Sequence, residues 1–213
     1  MKADQILDEL IHRYPVLKPL KTSIQKMADS IIETYKNGGK VLVCGNGGSS
    51  ADADHIVAEL MKSFEGNRPV DGKLAKRLVE QNKEVGELLA EKLQHGLPAI
   101  SLSAHQALTT AISNDINGDI VFAQQMVGYG DAGDVLIGLS TSGNSKNVVY
   151  AFMVAKAKGL KTIGMTGYTG GEMAKYCDIL LNVSETRTAY IQELHLPVYH
   201  TVCRMVEKEF FAK

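Results

Sequence analysis

Five short runs of β-forming apolar residues alternate with stretches of helical apolar spacing, and this alternation constrains the chain most. The runs are 40–44 (KVLVC), 98–103 (PAISLS), 134–140 (DVLIGLS), 161–166 (KTIGMT) and 178–183 (DILLNV). Runs this continuous belong to strands buried on both faces, and strand–helix alternation predicts a parallel sheet with helices on each side. Right-handed crossovers then give a doubly wound, three-layer α-β-α sandwich. Ligands in such sheets gather at the carboxyl ends of the strands. Ahead of the first run, helices are expected over residues 3–14 and about 17–37, ended by Gly38 and Gly39. Between the strands the pattern predicts helices over about 50–63, 104–112 and 147–158, and a long final helix over about 187–211.

Residues 67–97 break this rhythm. They are highly charged, with Leu74, Leu78, Val79, Val85, Leu88, Leu89 and Leu93 at roughly helical spacing. One or two amphipathic helices inserted before the second strand are expected, either as a solvated excursion or as a lid or subunit contact. The 213 residues otherwise read as a single domain able to bury its own core.

A formal net charge of −1 gives no basic excess for nucleic acid or an anionic membrane surface. No run approaches the ~20 apolar residues of a membrane span. The N-terminus reads as an amphipathic helix rather than a secretory signal. Cys44, Cys177 and Cys203 are odd in number and lack metal-pair spacing, which points to a reducing, cytoplasmic setting.

Two strand–loop–helix junctions are rich in small donors: 44–50 (CGNGGSS) and 140–145 (STSGNS). A phosphate dianion is held by converging backbone N–H groups and hydroxyls at the positive end of a helix. Neither loop is a nucleotide motif, because no G-x-x-x-x-G-K-[ST] occurs and Ser50 stands where G-x-G-x-x-G needs its third glycine. The plain alternative is a pair of ordinary βα turns. The 140–145 run, with four hydroxyls, is the better phosphate cradle.

Titratable groups collect in two further places. His55 and Glu59 are four apart, hence on one face of the helix after the first loop. In 191–200 (IQELHLPVYH), Gln192, Glu193, His195 and His200 crowd a helix that Pro197 should bend or interrupt. Gln192 and His200 lie about 80° apart in projection. Two His, one Glu and one Gln could bind a divalent metal such as zinc, although each segment alone also reads as ordinary helical polar residues. Asn114 and Asp115, after Ser113, either turn the chain or hydrogen-bond a polyhydroxylated ligand.

The segments CGNGGSSADADHIVAEL, SNDING, GLSTSGNSKNV and IQELHLPVYH resemble the motifs of bacterial phosphoheptose isomerases, in the sugar-isomerase (SIS) superfamily. The resemblance covers nearly the whole chain apart from 67–97, although STSGNS alone marks only the superfamily. It implies a five-stranded parallel SIS sheet between helices. Asn46, Gly47 and Gly48 would line the substrate, Ser140, Thr141, Ser142 and Ser145 would hold its phosphate, and Asn114 and Asp115 would bind sugar hydroxyls. His55, Glu59, Gln192 and His200 match zinc-binding positions, with Glu59 and His200 also matching the acid/base pair and Gln192 facing substrate.

The implied reaction is aldose–ketose isomerisation of sedoheptulose 7-phosphate to D-glycero-D-manno-heptose 7-phosphate through an enediol, feeding lipopolysaccharide or other surface polysaccharide. A homotetramer with sites between subunits and one Zn2+ per subunit are likewise implied. Two departures stand out: the long 67–97 segment, and Tyr190 where the family often has Arg. The competing expectations are an isomerase of another ketose phosphate, a non-catalytic relative binding the bacterial replication initiator, and a sugar-phosphate-sensing regulator.

Overall fold

The computed structural model describes residues 3–211. Two helices, α1 (Ala3–Arg13) and α2 (Lys21–Lys36), are joined by a 3-10 turn over Pro15–Leu20. The core alternation follows: β1 (Val41–Gly45), α3 (Gly48–Met61), then α4 (Gly72–Gln81) and α5 (Lys83–Lys92). Next come β2 (Ala99–Ser101), α6 (Gln106–Ile112), α7 (Val121–Tyr129), β3 (Val135–Leu139), α8 (Lys146–Ala157) and β4 (Lys161–Thr166). The described chain closes with β5 (Ile179–Asn182) and α9 (Thr188–Phe211).

All five strands are parallel, in the order β2-β1-β3-β4-β5. Side-chain alternation splits the strands between two cores. Val41 and Val43 of β1 and Val135 and Ile137 of β3 pack with α1, α2, α3 and α9, while Leu42, Cys44 and Leu136 pack with α6, α7 and α8. The α-β-α sandwich expected from the buried runs is therefore the observed architecture. The chain leaves β1 toward β2 on one side and returns to β3 on the other, so the order reverses between β1 and β3. That reversal opens the crevice where a doubly wound sheet binds ligands.

Four local expectations need correction. Helix α7 lies in a stretch with no assigned element, although Val121, Phe122, Gln125 and Met126 have helical spacing and are buried. Residues 113–117 do not simply turn the chain; they form a wide π-helical turn continuous with α6. Strand β2 has only three residues. Pro197 does not interrupt α9, which runs unbroken through it for 24 residues with Pro197 buried. Packing of α9 against α1, α2 and α3 outweighs the one backbone hydrogen bond that proline removes.

The 67–97 segment is a helical hairpin, α4 and α5, that packs chiefly on itself. Asp71 caps α4 by accepting from Lys73 and Leu74 N–H, and Asn82 caps α5 through Val85 N–H. Its two ends are joined by the Pro69–Gln94 bridge and by His95 N–H donating to Arg68 O, and they are tied to the body by Ser63 N–H donating to Gln94 Oε1 and by Arg68 donating to Glu207. Leu74, Val85, Leu88 and Leu93 remain exposed. No helix among the described residues is long and apolar enough to cross a membrane.

Candidate active site

Both small-residue loops lie at the β1/β3 reversal, each feeding a helix N-terminus. Asn46 and Asn147 exchange two side-chain hydrogen bonds, each 2.9 Å, across the crevice. Gly47, at φ 56°, starts α3. Gly48 lies against Gln192: a Cβ there would stand 2.6 Å from Gln192 Nε2 and displace that side chain, so α9 reaches the first loop through that amide.

The second loop is braced from several sides. Ser140 is buried, and its Oγ lies 3.0 Å from Ser145 Oγ. Ser142 Oγ accepts from Asn144 N–H, Gly167 N–H donates to Thr141 O, and Met173 N–H donates to Gly143 O. Gly143 adopts φ 68°, and a Cβ there would collide with the backbone of Gly170. The result is a rigid hydroxyl-lined turn at the positive end of α8, suited to a phosphate.

About 10 Å along α3 from Gly48, at seven residues of helical rise, a second group of side chains meets α9. His55 Nε2 lies 3.2 Å from Glu59 Oε1 and 3.4 Å from His200 Nε2. Glu59 is buried and its other oxygen accepts from Lys62 Nζ at 2.9 Å. The His55 and His200 rings are edge-on, with centroids 4.8 Å apart, and Phe64 packs on His200 at 5.3 Å. Burial, followed by the neighbouring His55, holds the His200 imidazole below its ordinary pKa. A cavity of about 220 Å³ opens beside His200, lined by Tyr14, Phe64, Leu196 and Arg204 among others.

Gln192 lies two turns before His200, at the loop end of α9. His195 turns away from this cluster; it is fully buried, and its Nε2 lies 3.2 Å from Thr166 O, which fits an N–H donated to that carbonyl. Glu193 is exposed. Asn114 and Asp115 are exposed on the π-turn, where Asn114 Nδ2 donates to Asp115 Oδ1 at 2.7 Å.

Zinc–nitrogen and zinc–oxygen bonds of ~2.0–2.1 Å put neighbouring ligands of a tetrahedral ion about 3.3 Å apart. The two separations centred on His55 match that edge, and two imidazoles with one carboxylate are a zinc-compatible donor set. As they stand, no three His, Cys, Asp or Glu side chains among the described residues form a closed metal cluster.

Several supporting residues escape a reading by motif. Arg68 is fully buried, donating to Glu207 Oε1 (2.7 Å), Leu60 O (2.7 Å) and Glu59 O (3.0 Å). It thereby caps the end of α3 that carries Glu59. Glu207 also accepts from Phe64, Glu65 and Gly66 N–H. Burial alone would raise the Glu207 pKa, but these four donors hold it below the usual carboxylate value. Nothing in the sequence marks a lone arginine in a charged stretch as buried. Asp52, by contrast, shares a helix face with His55 and Glu59, a signal the spacing does contain.

Comparison with known proteins gives a consistent result. The SIS domain family matches residues 11–88 and 83–167. The chain is 42% identical to the phosphoheptose isomerase of Burkholderia pseudomallei (strain 1710b) over 194 residues, covering 91% of this chain and 85% of that one. It is 39% identical to that of Aliarcobacter butzleri (strain RM4018) over 212 residues, 98% of each chain. The solved phosphoheptose isomerase of Neisseria gonorrhoeae superposes with a TM-score of 0.74 at 35% identity, over 94% of both chains.

Proposed function

The chain belongs to the SIS-domain family of phosphoheptose isomerases, and from that premise we propose that it interconverts sedoheptulose 7-phosphate and D-glycero-D-manno-heptose 7-phosphate. It is a sugar-phosphate isomerase. The observation that carries this reading is the meeting of Glu59, His55 and His200 across the α3–α9 seam, below a crevice walled by two anion-suited loops.

The loop 140–145 and the N-terminus of α8 receive the phosphate, and Asn46, Gly47, Gly48 and Gln192 contact the sugar. Asn114 and Asp115 reach sugar hydroxyls from an exposed turn, an arrangement that suits a site completed by a second subunit of a homotetramer. Glu59, held through Oε2 by Lys62, takes the proton from C1 of the ketose. As the C1–H bond breaks, the C1–C2 double bond of the enediol forms and O2 gains a proton. Delivery of a proton to C2 and loss of the O1 proton then give the aldose. His200 handles the oxygen and C2 protons. The residues that would hold a divalent ion, taken as one Zn2+ per subunit, are His55, Glu59, Gln192 and His200. Such an ion polarises the carbonyl and steadies enediolate charge when bound. The reading places the enzyme in the cytoplasm, supplying heptose for lipopolysaccharide.

The test is aldose formation from sedoheptulose 7-phosphate by purified protein, with and without zinc, repeated with other ketose phosphates. Turnover of the heptulose above the others supports the proposal. No turnover of any ketose phosphate by folded protein sinks it and favours a binding role.

A further inference from the structure

From the Nδ1 edge of His55, opposite the Nε2 that faces Glu59 and His200, a hydrogen-bonded chain leads to Tyr199 and Asp52. Tyr199 is 1% exposed, and its hydroxyl donates to Asp52 Oδ1 at 3.1 Å while lying 3.1 Å from His55 Nδ1. Among the described residues Asp52 Oδ2 is buried with no hydrogen-bond partner, and Tyr199 is the one side chain that hydrogen-bonds this carboxylate. The two rings meet edge-on, with centroids 5.5 Å apart.

Proton counting fixes the direction of the chain. A phenol has one hydrogen, and an ionised carboxylate can only accept, so the Tyr199 hydrogen goes to Asp52. The remaining contact must then run from His55 Nδ1–H to the phenol oxygen. A neutral imidazole carrying hydrogen on Nδ1 has its lone pair on Nε2. That nitrogen is the one facing Glu59 Oε1 and His200 Nε2.

We propose that Asp52 and Tyr199 are positioning residues that lock His55 as its Nδ1–H tautomer and so aim an electron pair from Nε2 at a divalent cation shared with Glu59 and His200. The proposal deepens the metal-assisted isomerase reading and rests on it for the cation. The tautomer rests on the chain from an ionised Asp52 through Tyr199 to His55 Nδ1 prevailing over the contact of His55 Nε2 with Glu59 Oε1, a carboxylate oxygen that would accept an Nε2–H in the absence of a cation. Outer partners of metal-bound histidines typically govern metal affinity by 10–100-fold.

The experiment is nitrogen-15 NMR of histidine-labelled, metal-free protein at a pH that keeps imidazoles neutral, combined with zinc affinity measured by chelator competition. Wild-type His55 is expected to carry hydrogen on Nδ1. Tyr199→Phe removes the acceptor, so an Nε2–H population should appear and zinc affinity should fall about 10–100-fold. Asp52→Ala keeps the phenol but frees its proton for His55 Nδ1, which should drive His55 to the Nε2–H form. Loss of packing alone would not produce that inversion.

Wild-type His55 found as Nε2–H overturns the relay and leaves the isomerase reading standing, a result that needs no variant to fold. Unchanged tautomer and zinc affinity in folded Tyr199→Phe also overturns it. Wild type with Nδ1–H that takes up no divalent metal overturns the cation half of the proposal together with the metal reading beneath it.

Discussion

His200 Nε2 stands 3.4 Å from His55 Nε2, joining two helices whose residues are 145 apart in sequence. Neither helix alone holds a reactive group of this kind. The seam between them turns a His–Glu pair on α3 into a candidate acid–base centre, and Glu59 is its one carboxylate.

Replacing Glu59 by Gln keeps its size and removes its basicity. Isomerase kcat should fall by roughly 10²–10⁴-fold, the usual contribution of a positioned general base. Stopped assays of aldose formation beside circular dichroism check this; near wild-type turnover in a folded variant would remove Glu59 as the base.

Gly143 is held at φ 68° against Gly170 and Gly171. Gly143→Ala forces the hydroxyl turn to move, so KM for the phosphosugar should rise at least tenfold. Ser140→Ala, which deletes one donor, should act in the same direction more mildly. Initial-rate kinetics on both variants decide whether this loop holds the phosphate. An unchanged KM in both would place the phosphate elsewhere.

Arg68 and Glu207 form a buried ion pair at 2.7 Å. Arg68→Met leaves the Glu207 charge buried without its cation, which typically costs about 3–5 kcal/mol. Because Arg68 also holds the carbonyls of Glu59 and Leu60, kcat should drop as the end of α3 loosens. Urea unfolding monitored by circular dichroism measures the first effect, and turnover below the transition measures the second.

His195 is fully buried, and burial pushes its pKa down from 6.5 to about 4. Below pH 6.5 the unfolded chain takes up a proton that the fold refuses. The associated stability is complete above pH 6.5 and is lost as pH falls toward about 4, by roughly 3 kcal/mol over the window. Urea titrations between pH 7 and 4 should show this slope, and His195→Leu should flatten it.

The α4–α5 hairpin buries only Gly86 within its second helix and nothing within its first. Replacing residues 70–92 by a short linker, with the Gln94 and His95 contacts kept, should leave the unfolding free energy of the remaining body nearly unchanged. A large drop in stability or activity would show that Leu74, Val85, Leu88 and Leu93 are covered in the working assembly.

The layer architecture was legible because it depends on local pattern. Continuous runs such as Leu136 to Leu139 make sense only in strands buried on both faces, and the glycine–serine loops had to follow them. His55 and Glu59 could be paired from helical period alone. The neighbours of a side chain on another element follow no such period. That Gln192 would rest on Gly48, that Tyr199 would sit between Asp52 and His55, and that Arg68 would be buried against Glu207 were decided by how α9 packs on α3 and on the loop after it. Likewise, Pro197 inside an unbroken α9 is a tertiary outcome: the contacts of the helix with three neighbours exceed what proline removes. Sequence period sets which face of an element is buried, and only packing sets what that face meets.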